Sequence, residues 1–167
     1  MSTPQSTTSS WPHSFIYLLA FLGLNAIGAA LGGAATSTSV STWYAELDKP
    51  GFTPPAWVFG PAWTLLYVLL GISAWLIWRQ RLQNTDVKMA LLAYFVQLGL
   101  NFPWSPFFFG LRNPVLALID ILLLLIAILW MLSRFSRISL TATMLAVPYF
   151  LWVAFATALN FAIVRLN

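Results

Sequence analysis

VLALIDILLLLIAILWML, residues 115–132, is an eighteen-residue run in which Asp120 is the only charged side chain. An α-helix needs about 20 such residues to cross a hydrocarbon core about 30 Å thick, so this run reads as a membrane span. Working outward, four more runs of similar character occupy 15–35, 58–78, 89–109 and 140–164, with Lys, Arg, Asp, Gly, Pro and Ser gathered between them. Only 7% of the chain is charged and 60% is hydrophobic, against roughly 25% charged residues in ordinary soluble domains. A soluble fold would lack the polar surface to cover itself. Backbone amides in lipid must bond to one another, which leaves helices or a closed barrel, and these runs are too long and too unalternating for barrel strands. The expected fold is all-α, a single integral membrane bundle of five transmembrane helices spanning residues 15–167.

Residues 1–14 form a polar leader rich in Ser and Thr and without Lys or Arg. The following run, 15–35, exceeds the roughly 7 to 15 residues of a signal-peptide core and lacks its positive flank, so a retained first helix is expected. The net charge of +4 comes from eight basic residues scattered singly or in pairs, not from a patch that would grip nucleic acid. With five spans, Arg79, Arg81, Lys88, Arg134 and Arg137 share the side of the N-terminus, and Lys49, Arg112 and Arg165 lie opposite. That bias favours a cytoplasmic N-terminus, with a bacterial inner membrane as the default location.

The residue inventory excludes much chemistry. The chain has no cysteine, and His13 in the leader is its one histidine. Disulfides, thiolate or histidine metal sites, a cysteine nucleophile and a Ser-His-Asp triad are therefore ruled out, and no metal site is expected. Glu46 and Asp48 fall in a loop and Asp86 between runs, so no acid–base pair is visible within the bundle. Asp120 sits inside a span, where an ionised carboxylate costs about 2.5–3.5 kcal/mol on insertion scales. It is expected to pair with Arg112 or to accept an interhelical hydrogen bond, with a proton relay as the less favoured alternative.

The longest connection, 36–57, contains STSVSTWYAELDKPGFTPPAW at 37–57. Prolines 50, 54 and 55 should hold Lys49 and Thr53 out of helical geometry, and Trp43, Tyr44, Phe52 and Trp57 supply interfacial anchors, giving a stiff lid over the bundle. On the third run Tyr94, Gln97, Asn101, Trp104 and Phe108 recur at helical spacing and share one face. Amides facing lipid would cost free energy, so this face should turn inward. Pro103 and Pro106 beside it free carbonyls and bend the helix. Phe59, Trp63 and Tyr67 on the second run, and Tyr149, Trp152, Ala156 and Asn160 on the fifth, make comparable stripes. Where the three faces meet, an apolar pocket walled by indoles and carrying a few hydrogen-bonding groups is expected, the usual make-up of a small-molecule site. Gly28 with Gly32, and Ala154 with Ala158, permit close helix approach within the bundle or between protomers.

Three separated motifs in order, Trp43-Tyr44 through Lys49-Pro50 to Pro54-Pro55 and Trp63, NFPWSPFFFG at 101–110, and VPYFLWVAFATALNFAIVRLN at 147–167, resemble the TspO, or tryptophan-rich sensory protein, family, which includes the translocator proteins. The resemblance implies a five-helix bundle, often a homodimer, that binds protoporphyrin, possibly haem, and similar flat apolar molecules beneath its first loop, in tetrapyrrole handling and stress regulation. No cofactor is required; porphyrin or haem would be the ligand. Carried over by position, the ligand-binding residues would be Tyr44, Pro54, Trp63, Gln97, Asn101, Trp104, Ser105, Trp152 and Ala156. Trp63 and Trp152 would be the catalytic pair if the protein degrades porphyrin in light and oxygen. Lys49 would stand where a propionate reaches the membrane surface. Two positions depart from the pattern: Phe52 replaces a tryptophan of many relatives, and Leu159, Phe161 and Arg165 lack the tyrosine of the sterol motif. A carrier of tetrapyrroles is the remaining alternative, although five helices in one chain cannot form the paired inverted repeat common in transporters.

Overall fold

The structure, a computed structural model, describes residues 11–80 and 85–167, with side chains from Ser14 onward. Residues 1–10 of the leader and Arg81 of the charge bias lie outside the described residues. Six α-helices follow in order: α1 (Trp11–Ser37), α2 (Trp43–Glu46), α3 (Ala56–Trp78), α4 (Thr85–Ser105), α5 (Pro114–Phe135) and α6 (Leu140–Leu166). A π-helical turn, Pro106–Gly110, continues α4. The first helix thus begins at Trp11 within the expected leader, and α4 begins at Thr85, taking Asp86 and Lys88 into its first turn.

Local chemistry explains these boundaries. Asn113 caps α5 by accepting from the Leu116 N–H at 3.0 Å, with Pro114 at the first helical position, where its missing N–H costs nothing. Ser139 caps α6 in the same way, accepting from the Ala142 N–H at 3.2 Å. The sequence points to a bend near Pro103 and Pro106, and the structure resolves it as a π turn. Pro106 has no N–H to give, and the ladder closes by a wider bond, Leu111 N–H to the Pro106 carbonyl at 2.8 Å.

Among the described residues, four helices are long and apolar enough to cross a membrane: Ser14–Ser37 within α1, and α3, α5 and α6. α4 has the length, at 21 residues, but is not among them, because Asp86, Lys88, Gln97 and Asn101 lower its hydropathy. The all-helical bundle therefore stands, with four spans by length and composition where the sequence reading counts five. The five long helices pack as a ring in the order α1, α3, α6, α5, α4 and back to α1. The half of the ring away from the lid is solid, filled by side chains such as Leu70, Ile77, Met131 and Phe135 with no more than trace exposure.

Polar links between helices are few and specific. Ser73 donates to the Ala142 carbonyl at 2.6 Å, tying α3 to α6, and Asn25 donates to the Tyr94 hydroxyl at 2.7 Å, tying α1 to α4. Gly28 settles which contact its small-residue pair serves. A Cβ there would lie 2.1 Å from the Phe102 ring, so the pair lets α1 approach α4 inside the bundle.

Candidate functional site: a cavity beneath the lid

The lid end of the ring is hollow. A cavity of about 540 Å³ lies there, walled by all five long helices with Val40 and Tyr44 of the lid contributing to its lining, a size within the roughly 300–1,000 Å³ of small-molecule sites. Of the nine expected ligand-binding residues, seven reach its wall: Tyr44, Trp63, Asn101, Trp104, Ser105, Trp152 and Ala156. Two do not. Pro54 belongs to the extended lid segment off the wall, and Gln97 is fully buried one turn deeper, behind the cavity. The stripe residues Phe59, Tyr67, Phe108 and Asn160 also face the void, whereas Tyr149 lies behind it. The sequence reading did not place α1 on the wall, yet Gly28, Gly32 and Thr36 line it. The glycine spacing was the available signal, since small side chains leave room beside a neighbour as readily as they admit one.

A hydrogen-bonded chain fixes the inner wall. The Tyr67 hydroxyl donates to Asn101 Oδ1, Asn101 Nδ2 donates to the Tyr149 hydroxyl at 3.0 Å, and that hydroxyl donates to Gln97 Oε1 at 2.8 Å. Asn101 is thus the hinge of a network joining α3, α4 and α6, and Gln97 is its buried terminus. Trp104 is held by a longer bond, its indole N–H donating to Asn160 Oδ1 at 3.3 Å, while Asn160 Nδ2 donates to the Pro114 carbonyl at 2.9 Å. Ring contacts set the remaining walls. Trp104 stacks on Phe108 at 5.4 Å between centroids, Trp63 leans on Tyr67 at 5.3 Å, and Phe59 meets Trp152 edge-on at 5.9 Å. One fully buried polar group of the wall has no partner: the indole N–H of Trp152 makes no hydrogen bond. No acid, lysine, arginine, histidine or methionine is among the described residues of the wall.

The lid is pinned at several points. Ser39 donates to the Phe109 carbonyl at 2.8 Å, and the rings of Trp43 and Tyr44 pack on Phe108 at 5.7 and 6.0 Å. Asn167 clasps the Asp48 backbone, accepting from its N–H and donating to its carbonyl, both at 3.0 Å. Lys49 corrects the expectation placed on it. Its ammonium donates to the Tyr44, Ala45 and Leu47 carbonyls at 2.8, 3.1 and 2.8 Å and lies 5.0 Å from the Tyr44 ring centroid. All three donors cap the short helix α2, leaving none for a ligand carboxylate. Burial raises the pKa of the Tyr44 phenol above its ordinary value, so it stays neutral at the cavity roof.

Asp120 also differs from expectation. It is buried in α5, and among the described residues it forms no ion pair with Arg112, while its Oδ2 accepts no hydrogen bond. Arg112 instead holds a left-handed backbone, φ 52°, in the turn before α5.

An apolar chamber inside a helix bundle, roofed by a Pro-rich lid and walled by tryptophans, defines a membrane-embedded receptor-like architecture with no built hydrolytic centre among its described residues. Comparison with known proteins agrees: residues 20–166 match the TspO/MBR family, and the chain belongs to it. The "Tryptophan-rich protein TspO" of Archaeoglobus fulgidus is 49% identical over 146 residues, covering 87% of this chain and 93% of that protein. The human "Translocator protein" is 36% identical over 142 residues, covering 84% of each. The "Tryptophan-rich sensory protein" of Cereibacter sphaeroides is 36% identical over 142 residues, 83% of this chain and 87% of that protein. Its apolar helices and its family make this chain an integral membrane protein.

Proposed function

We propose that the protein is a membrane receptor or sensor that holds a porphyrin or a similar flat apolar molecule in the cavity beneath its lid. The observation that carries this reading is the wall itself: four indoles, those of Trp57, Trp63, Trp104 and Trp152, and several phenyl rings around a void of about 540 Å³, with hydrogen-bonding groups at few points. Flat π-systems stack on such rings at about 0.5–1.5 kcal/mol per aromatic pair beyond the area they bury. Metal-free porphyrin suits the wall better than haem, because no imidazole or thioether lines it and, of its two phenols, Tyr67 is engaged with Asn101 and Tyr44 is kept protonated by burial. With Lys49 committed to α2, a diacid ligand would direct its carboxylates away from the cavity floor. The unpartnered Trp152 N–H offers one hydrogen bond to an acceptor atom on the ligand.

The proposal includes α4 as a fifth span, its polar residues turned inward to the network rather than to lipid, a cytoplasmic N-terminus, a bacterial inner membrane and self-association as a homodimer. The last three rest on charge bias and family resemblance. Titrating the purified protein with metal-free protoporphyrin should quench its tryptophan fluorescence saturably. Trp152→Phe keeps a ring but removes the N–H, and should weaken binding by roughly tenfold, the worth of about 1.4 kcal/mol for one hydrogen bond. Quenching that never saturates would dismiss the receptor reading.

A second reading, light-dependent porphyrin degradation, is favoured by the presence of both Trp63 and Trp152 on the wall. Illuminating the complex under oxygen should bleach porphyrin absorbance more slowly in Trp63→Phe than in the unaltered protein. Equal bleaching rates would leave a binder and no enzyme.

A further inference from the structure

A second void of about 390 Å³ lies on the outer face of the bundle at the seam between α3 and α6, lined by Ala62, Leu65, Leu66, Pro148, Leu151, Trp152 and Phe155. Leu65 and Leu151 are 59% and 60% exposed and face the surroundings of these two apolar helices, which for spans means acyl chains. Trp152 is the one residue that lines both this groove and the central cavity. At this seam the Trp152 indole stands between the groove and the chamber.

The fastening of that indole contrasts with the fastening of the lid. The water-facing roof is pinned by the Asn167 clasp on Asp48, the Ser39 bond to Phe109 and the threefold cap by Lys49. Trp152 has no hydrogen bond and is held by two ring contacts, Phe59 at 5.9 Å and Phe155 at 5.7 Å. Turning it breaks no polar bond. Pro148, one turn earlier on α6, removes an N–H from the helix ladder, and Pro61 does the same on α3, so both edges of the seam lack one backbone bond.

We infer that the α3–α6 groove is a membrane-side vestibule through which a flat apolar ligand dissolved in the bilayer reaches the chamber, with Trp152 as the swinging partition. The inference rests on the cavity reading above and adds its route. A molecule of this class partitions into acyl chains before it meets any protein, so a lipid-facing mouth meets it at its highest concentration. The lid need not open for loading.

The test exploits side chains that line the groove and not the chamber. Ala62→Trp plugs the groove from α3, and Leu151→Trp plugs it from α6. The full chain is placed in phosphatidylcholine vesicles and mixed rapidly with vesicles preloaded with metal-free protoporphyrin, and tryptophan quenching is followed in time. A plug outside the binding wall raises the barrier for arrival and departure alike, so both rates should fall by about tenfold while the equilibrium affinity stays within about twofold. Asn167→Ala, which loosens the lid, should leave the rates unchanged. The vestibule is overturned if both plugged variants load at the unaltered rate, or if Asn167→Ala alone accelerates loading. If either plug misfolds, the other still decides. Absence of saturable quenching in the unaltered protein would overturn the cavity reading itself, a result separate from any change in rate.

Discussion

Ala156→Phe should abolish saturable porphyrin binding while leaving the bundle folded. Ala156 is 8% exposed and sits on the cavity wall between Trp152 and Asn160, so a new ring there extends into the void and occupies the space a ligand would take. The expected loss is at least a hundredfold, about 2.7 kcal/mol, since stacking against Trp152 is blocked as well as volume removed. The control is the same substitution at Ala146, which has no exposure, lies in the packed core and does not line the cavity. There a phenyl ring has nowhere to go, and overpacking costs about 1–3 kcal/mol or more. Ala146→Phe should therefore lower the melting temperature, whereas Ala156→Phe should lower affinity with the melting temperature nearly unchanged. Fluorescence titration and thermal unfolding in detergent separate the two. Full affinity in Ala156→Phe would mean that the ligand binds elsewhere.

Asn101→Leu should have the largest effect on stability of any single change at the cavity. It strips the Tyr67 hydroxyl of its acceptor and takes one of two partners from the Tyr149 hydroxyl, which keeps Gln97. A buried hydroxyl left unpaired costs about 1–3 kcal/mol. Interhelical bonds in membranes average nearer about 0.6 kcal/mol because the unfolded segments find other partners, so a net loss of about 2 kcal/mol is expected. The pairing can be tested from both ends. Tyr67→Phe added to Asn101→Leu removes the stranded hydroxyl, and the double variant should recover a measurable part of the loss in a denaturant titration. Strict additivity of the two single effects would show that the bond from Tyr67 to Asn101 carries no coupling.

The bundle and most of the wall were legible in the sequence because membrane spans write themselves in length and hydropathy, and inward faces in periodicity. Asn101, Trp104 and Phe108 share a stripe and share the void. Gln97 and Tyr149 belong to stripes as good, yet lie behind the wall, because helical spacing reports direction and not depth. Whether an inward side chain meets space or another side chain depends on what the facing helices bring to that level. Here they bring small residues near the lid, Gly28, Gly32 and Ala156, and large ones away from it. The polarity that Gln97 and Asn101 bring to the inward face of α4 is also what lowers its hydropathy below that of its neighbours. Lys49 was misread for a different reason. Its partners are the carbonyls of α2, a helix of four residues too short to leave a periodic trace. Asp120 was expected to find Arg112, but eight positions along the chain put the arginine in the turn before α5, where its backbone is left-handed.

The chamber wall carries neither a carboxylate nor a basic side chain among the described residues. Pumps and ion-coupled transporters draw work from a voltage or a proton-motive force through charges that move or titrate beside their cargo. This wall gives such a force nothing to grip. On the proposed function, occupancy of the chamber would rise and fall with ligand concentration in the bilayer, and the protein would act as a gauge of that concentration.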